Sequence, residues 1–300
     1  MTPGCTTDDR WEARLGIPEW EPTRMTICIA AICEAGDAIL TVGDGEVGIG
    51  ITAGELGRTK WDAFAKDWHI GIAGNVANAT DVIEWSRKLR PSVSEPIDSM
   101  QVRAELEKSY RGARLARAEA EFLASRGWTL QDFVDHGRAK LPEATYANID
   151  ARIALFDFNA DLIVCGWGPG ESFPSILTVR NPGVCVEHMR LGFWCIGSGS
   201  TAAQMSLFGR NYSPDMPLEE ALYYVVEAKI NAEHATGVGR RTDTFIAWQG
   251  RDPDALSEAD NDALRQIWEQ LKPRDFNEGH CKIVETIGEV KKYKTHKQST

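Results

Sequence analysis

Three side chains in this 300-residue sequence have the chemistry to open an amide bond together: the hydroxyl of Thr26, the ammonium of Lys60 and the carboxylate of Asp44. A threonine hydroxyl is a poor nucleophile and needs a base within hydrogen-bond reach. A free α-amine, with a reference pKa of about 7.7–8.0, is a suitable base near neutral pH. A lysine close by keeps such a site electropositive and lowers the amine's pKa further. An aspartate must then compensate the lysine, because an unpaired buried charge is very costly. Thr26 opens an apolar run, Asp44 closes the next, and Lys60 begins a third. Each residue also has a plainer reading when taken alone. Asp44, in Gly43-Asp44-Gly45, reads as a turn residue, and Lys60 as a solvated strand-edge lysine. Ser198, in Gly197-Ser198-Gly199, reads as a helix N-cap, and Gly237-Val238-Gly239 as a helix C-cap. A phosphate nest at 197–199 lacks the lysine that a P-loop requires. Cys28 is a second candidate nucleophile, but a position inside a strand suits a structural thiol better.

These residues have to be positioned by the elements around them. Residues 26–33 and 38–44 are short apolar runs across a Glu34–Asp37 turn, the pattern of a β-hairpin. Being apolar on both faces, they belong in a sheet covered on both sides. Residues 45–57 are Gly-rich and read as a loop or irregular strand. Strands are expected over 60–64 and 68–73. Val82, Ile83, Trp85 and Leu89 give 77–89 a helical stripe. A long helical block covers 101–139, interrupted near Gly127. Strands follow over 152–158, 161–167, 174–179 and 184–195, with Asn159-Ala160 as a tight turn between the first two. Helices are expected over 201–209, 217–235 and 254–271, and a closing strand over 243–248. Segregated strand and helix blocks argue against a doubly wound parallel sheet. They favour two antiparallel sheets packed face to face, with helices outside.

The chain is 43% hydrophobic and 26% charged, a globular composition without an internal repeat. A net charge of −11 argues against a general nucleic-acid binder. The seven cysteines are odd in number, scattered and free of any C-x-x-C, which fits a reduced, cytoplasmic protein. Cys28, Cys33, Cys165 and Cys195 lie in apolar stretches, where cysteine packs as a small hydrophobe. The six histidines show no metal-ligand spacing. Residues 1–24 lack the apolar core of a signal peptide and read as an extended or disordered lead. No run approaches the roughly 20 apolar residues of a membrane helix, so no membrane role is expected. The residues from 290 onward form a basic, polar tail.

Order and spacing together add a resemblance. Thr26-Ile27-Cys28-Ile29, Val42-Gly43-Asp44-Gly45, Lys60, Gly71-Ile72-Ala73-Gly74, Gly197-Ser198-Gly199 and Gly237-Val238-Gly239 resemble the landmarks of a proteasome β-type subunit. The match runs over residues 26–249 and is closest in style to the simple bacterial proteasome-related peptidases. No single landmark is specific. The steps from Asp44 to Lys60 and from Lys60 to Gly74 match the family. The step from Thr26 to Asp44 is longer by about two residues, an insertion that the Glu34–Asp37 turn can absorb.

The resemblance implies an α+β fold: a four-layer αββα N-terminal-nucleophile (Ntn) hydrolase sandwich, with two antiparallel sheets between helix layers. It makes Thr26 the nucleophile, with Lys60 and Asp44 beside it, and Gly74 the N–H that stabilises the tetrahedral oxyanion. Ser198 supports the amine and a catalytic water. Thr236 is a second supporting hydroxyl, and Glu233 stands where the family has an aspartate three residues earlier. Val47, Ile72 and Val76 match the wall of the substrate pocket, with Arg58 and Asp62 nearby, giving a mainly apolar pocket with a charged rim. The implied activity is that of a threonine-type peptidase or amidase without metal or organic cofactor. It would act on a peptide or protein in a homo-oligomeric ring, and the resemblance leaves any ATP-dependent unfoldase partner open.

The expected organisation is a lead or propeptide at 1–25, the hydrolase domain at 26–249 and a C-terminal helix with a basic tail at 250–300. A helical elaboration near 101–150 is longer than in compact relatives. The nitrogen of Thr26 is no base while Met25 acylates it. Three readings follow. Met25 is the true start and is trimmed before the small Thr26, which is the preferred reading. Alternatively the lead is a self-cleaved propeptide, although Met25 stands where cleaving members carry glycine. Otherwise residues 1–25 are retained and the chain is a non-catalytic scaffold subunit. A further reading keeps the fold but takes a small amide as substrate.

Overall fold

The computed structural model describes residues 26–49, 52–55, 60–90, 92–235 and 237–271. The expected hairpin is present as β1 (Cys28–Cys33) and β2 (Ala38–Asp44), paired from Cys28↔Gly43 to Cys33↔Ala38. Its turn, Glu34–Gly36, lies at the opposite end from Thr26, so extra residues there leave the site undisturbed. The Glu34 carboxylate anchors that turn by accepting the Leu218 N–H at 2.7 Å. Within 45–57, expected as loop or irregular strand, β3 (Glu46–Ile49) and β4 (Thr52–Glu55) pair antiparallel. Next come β5 (Trp61–Ala65), β6 (Trp68–Gly74) and α1 (Val76–Leu89). The helical block resolves into α2 (Ser99–Phe122), α3 (Leu130–Lys140) and α4 (Glu143–Ala154). Asp98 and Gln101 form a capping box at the start of α2, and Gly127 lies in the break between α2 and α3.

The second half contains β7 (Ala160–Gly166), β8 (Ser175–Arg180), β9 (Val184–Glu187) and β10 (Phe193–Ile196). It continues with α5 (Ser200–Gly209), α6 (Leu218–Ala232), β11 (Thr242–Trp248), β12 (Asp254–Ala255) and α7 (Glu258–Leu271). One sheet has the order β10-β1-β2-β11-β12 and the other β5-β6-β7-β8-β9, with antiparallel pairing throughout.

Two expected strands are corrected. Residues 152–158 do not form a strand, because α4 continues through Ala154. Ile149 and Ile153, four residues apart, bury one helix face against Leu123 and Phe133, while Leu155 is 82% exposed. The helical period there outweighs the apolar, aromatic composition of 152–158. The single strand expected over 184–195 is two strands, separated by a short helical turn at Met189–Leu191. β9 edges one sheet and β10 edges the other, so the chain changes layer at this point.

Alternation along β1 explains its apolar character on both faces. Cys28, Ala30 and Ile32 meet Ile163, Cys165 and Ile176 of the facing sheet. Ile29, Ala31 and Cys33 meet Leu207 of α5 and Leu222 and Val226 of α6. On the far side, Trp68, Ile70, Leu162 and Val164 pack on Val102, Leu106 and Tyr110 of α2. The result is an α+β, four-layer αββα sandwich, with the central strands of both five-stranded sheets buried on both faces. No helix among the described residues is long and apolar enough to cross a membrane.

Candidate active site

The β1–β2 register brings the residues before β1 alongside the end of β2. There the Thr26 Oγ1 hydroxyl donates to Asp44 Oδ1 at 2.7 Å, and the Ile27 N–H reaches the same oxygen at 3.1 Å. Lys60 precedes β5 in the facing sheet. Its Nζ lies 2.6 Å from Asp44 Oδ1 and also donates to Thr26 Oγ1. Asp44 is 0% exposed and Lys60 7%, so neither is the solvated turn or edge residue of the plainer reading. The second carboxylate oxygen, Oδ2, accepts the Gly239 N–H at 3.0 Å. Asp44 therefore meets four donors, which is what keeps a buried carboxylate tolerable.

Ser198 arrives from the turn between β10 and α5. Its Oγ accepts the Thr26 N–H at 3.2 Å. It does not cap α5, whose N-cap residue is Gly199, without a side-chain bond. Gly197 makes the approach possible. It has a φ of +98°, and a Cβ there would lie 2.2 Å from the Thr26 carbonyl oxygen. The Gly199 N–H reaches that same oxygen at 3.4 Å. Gly197→Ala should therefore displace Thr26 and cost about 1–3 kcal/mol of stability, read as a lowered urea midpoint. An unchanged midpoint would contradict this packing.

Gly74 ends β6 immediately before α1, with a φ of +81°, and a Cβ there would come within 2.6 Å of the Asn159 carbonyl. The end of β6 runs beside the site: the Ile72 N–H donates to the Lys60 carbonyl, and the Cys28 thiol donates to the Ile72 carbonyl, both at 3.3 Å. Ile72, Gly74 and Val76 are half-buried around this corner. Burial pushes the Cys28 thiol up to about 12, which keeps it protonated and fits its structural reading.

The remaining expected residues are distributed differently. Arg58 and Thr236 lie outside the described residues, and Val47 is described only as part of the β3 backbone. Asp62 lines a cleft of about 790 Å³ along the edge strand β5, together with Trp61, His69, Phe245 and Asp252. Thr26, Asp44, Lys60 and Ser198 do not line it. Glu233 caps the end of α6, and its carboxylate engages Lys229 and Arg265. Gly237-Val238-Gly239 is not a helix C-cap, because α6 ends at Ala232. The Gly239 N–H on Asp44 escaped sequence reasoning, because a backbone donor 195 residues away carries no side-chain signature.

No protein-family model matches the chain, and no curated protein matches it. Among solved structures the chain is similar to Anbu (ancestral beta-subunit) from Yersinia bercovieri. The TM-score is 0.58 at 16% identity, covering 82% of this chain and 94% of that one. An Anbu (Gly-1) mutant from Hyphomicrobium sp. strain MC1 gives 0.57 at 15% identity, covering 84% and 96%. The helical assembly of the Anbu complex from Pseudomonas aeruginosa gives 0.57 at 17%, covering 82% and 93%. At such identities the likeness establishes the fold, a proteasome-like sandwich. It also corrects the resemblance drawn from the motifs. These three structures are Anbu proteins, a family related to proteasome β-type subunits and simple bacterial peptidases but distinct from them. The motifs are tight glycine corners and one buried Asp–Lys pair, features that a shared scaffold brings with it, so they do not separate the families built on it.

Proposed function

We propose that this chain is a threonine-type hydrolase of amide bonds, with Thr26 Oγ1 as nucleophile, active once its amine is freed from Met25. One observation carries the reading: a single buried oxygen of Asp44 gathers both the Thr26 hydroxyl and the Lys60 ammonium. Burying the Asp44 and Lys60 charges costs several kcal/mol per ion before pairing, a cost that the end of a hairpin does not require for its own stability. In the proposed reaction Asp44 and Lys60 orient the hydroxyl, and the freed amine, next to Ser198, takes its proton. Oγ1 attacks the substrate carbonyl carbon, and the Gly74 N–H stabilises the oxyanion. The amine then returns the proton to the leaving nitrogen, and water hydrolyses the ester left on Thr26.

The half-buried Ile72 and Val76 support an apolar preference at the residue before the cut, on a peptide substrate. Self-association is proposed as well, supported by the helical assembly of the similar Pseudomonas aeruginosa structure. The test uses protein whose mass shows that it begins at Thr26. It is incubated with a peptide β-lactone, an acylating electrophile, and the modified residue is located by mass spectrometry. One adduct on Thr26, absent from Thr26→Ala, is the expected result. An adduct on Cys28 or no adduct overturns the proposal. Met25 retained in every molecule of the natural protein would leave the scaffold reading in its place.

A further inference from the structure

Behind Asp44 lies a second buried cation for which the proposed reaction has no use. Lys229, near the end of α6, is 0% exposed. Its Nζ donates to the Gly239 carbonyl at 2.7 Å, to the Arg240 carbonyl at 2.9 Å and to the Glu233 carboxylate. An ammonium has three protons, so these three acceptors use all of them. Gly239 is thus held at its carbonyl, and its own N–H, on the other side of its Cα, faces the site: Gly239 N donates to Asp44 Oδ2 at 3.0 Å. Arg265 of α7 closes the cluster, donating to Glu233 Oε2 at 2.9 Å and to the Arg240 carbonyl at 2.7 Å. The Arg240 carbonyl therefore has other donors, Arg265 and the Thr242 hydroxyl, whereas among the described residues Lys229 is the donor that fixes the Gly239 carbonyl.

We propose that Lys229 is a positioning residue for Asp44, acting through the backbone of Gly239; the inference rests on the reading of Thr26 as nucleophile. Lys229 holds the Gly239 carbonyl, the Gly239 N–H holds Oδ2, and Oδ1 is thereby kept on the Thr26 hydroxyl and Lys60. A misplacement of about 1 Å at the reacting groups costs on the order of a hundredfold in rate, so a shift of the Gly239 backbone behind Asp44 matters.

A purely structural role has the wrong energetic sign. Burial depresses Lys229 from 10.5 to about 8. Of the charges facing it, Glu233 on its own helix and Asp44 from β2 oppose that shift, while Arg265 from α7 reinforces it. The folded protein thus holds this proton less tightly than the unfolded chain. The group's contribution to stability rises with pH between about 8 and 10.5, and at neutral pH the charged lysine is a cost. Above about pH 8 the neutral amine has two protons for its three acceptors, and the hold on Gly239 loosens.

The experiment measures the rate of Thr26 acylation by a peptide β-lactone against pH, in the natural chain, Lys229→Arg and Lys229→Met, each beginning at Thr26. The natural chain should lose rate through an alkaline limb centred near pH 8. Lys229→Arg, still charged, should lose that limb. Lys229→Met should react about tenfold or more slowly at pH 7 with an undiminished urea midpoint. A natural profile that stays flat through pH 8, a limb unmoved in Lys229→Arg, or full-rate acylation of Lys229→Met overturns the inference and leaves the nucleophile reading standing. If Lys229→Met fails to fold, the other two profiles decide. No acylation of the natural chain overturns both.

Discussion

Protein beginning at Thr26 should hydrolyse a peptide amide on the order of 10²–10⁴ times faster than the same chain with Met25 attached. The nitrogen of Thr26 is the only group beside the hydroxyl that changes from non-base to base when one bond is cut. Lys60 Nζ, as an ammonium, has no lone pair to accept a proton. Asp44 Oδ1 already takes the Thr26 hydroxyl, the Ile27 N–H and Lys60, and Oδ2 takes Gly239, so it orients the hydroxyl better than it removes the proton. With Met25 in place, the same nitrogen is an amide that donates to Ser198 Oγ at 3.2 Å. With the amine free, the rate should climb on the acid side of about pH 8 as the amine loses its proton, before the alkaline limb set by Lys229. The midpoint should lie below the reference of about 7.7–8.0, because the Lys60 charge disfavours a second cation. Comparing kcat/KM for the two mass-verified forms checks this, and equal rates would rule out the amine as base.

That experiment depends on residues that were largely legible in the sequence. Thr26, Asp44, Lys60 and Ser198 sit on hairpin ends and glycine corners whose spacing is local and regular, and the fold brings these four side chains together. The outer part of the cluster was not legible, for identifiable reasons. Gly239 contributes a backbone N–H, which any residue other than proline carries. Lys229 reads as one more polar residue in α6 until the helix is packed and its Nζ is found 0% exposed between two carbonyls and a carboxylate. Glu233 stands where the family has an aspartate three residues before Thr236, and in the fold its carboxylate is taken by Lys229 and Arg265. At the level of elements the errors share one cause. The run at 152–158 has strand composition, but tertiary burial of Ile149 and Ile153 favours the helix. The apolar stretch at 184–195 contains strands of two different sheets, a division that periodicity along the chain does not encode.

The same cluster predicts an asymmetry between its two charges. Asp44→Ala should destabilise the protein by about 3–5 kcal/mol, whereas Lys60→Met should cost about 1–3 kcal/mol. Removing Asp44 takes away the acceptor of the Ile27 and Gly239 N–H groups and leaves the Lys60 ammonium, 7% exposed, with the Thr26 hydroxyl oxygen. Removing Lys60 leaves the Asp44 carboxylate with three donors: Thr26 Oγ1, Ile27 N and Gly239 N. The Asp44→Ala/Lys60→Met double variant should then be more stable than Asp44→Ala alone, because the second change removes the stranded charge. None of the three should be acylated at Thr26 at a measurable rate, since stability recovered by neutralising the pair restores no orientation of the hydroxyl. Urea midpoints on the three variants, set beside their acylation rates, separate what the pair does for the fold from what it does for the reaction. If the double variant loses the sum of the two single losses, the charges are not coupled and the site does not work as a unit.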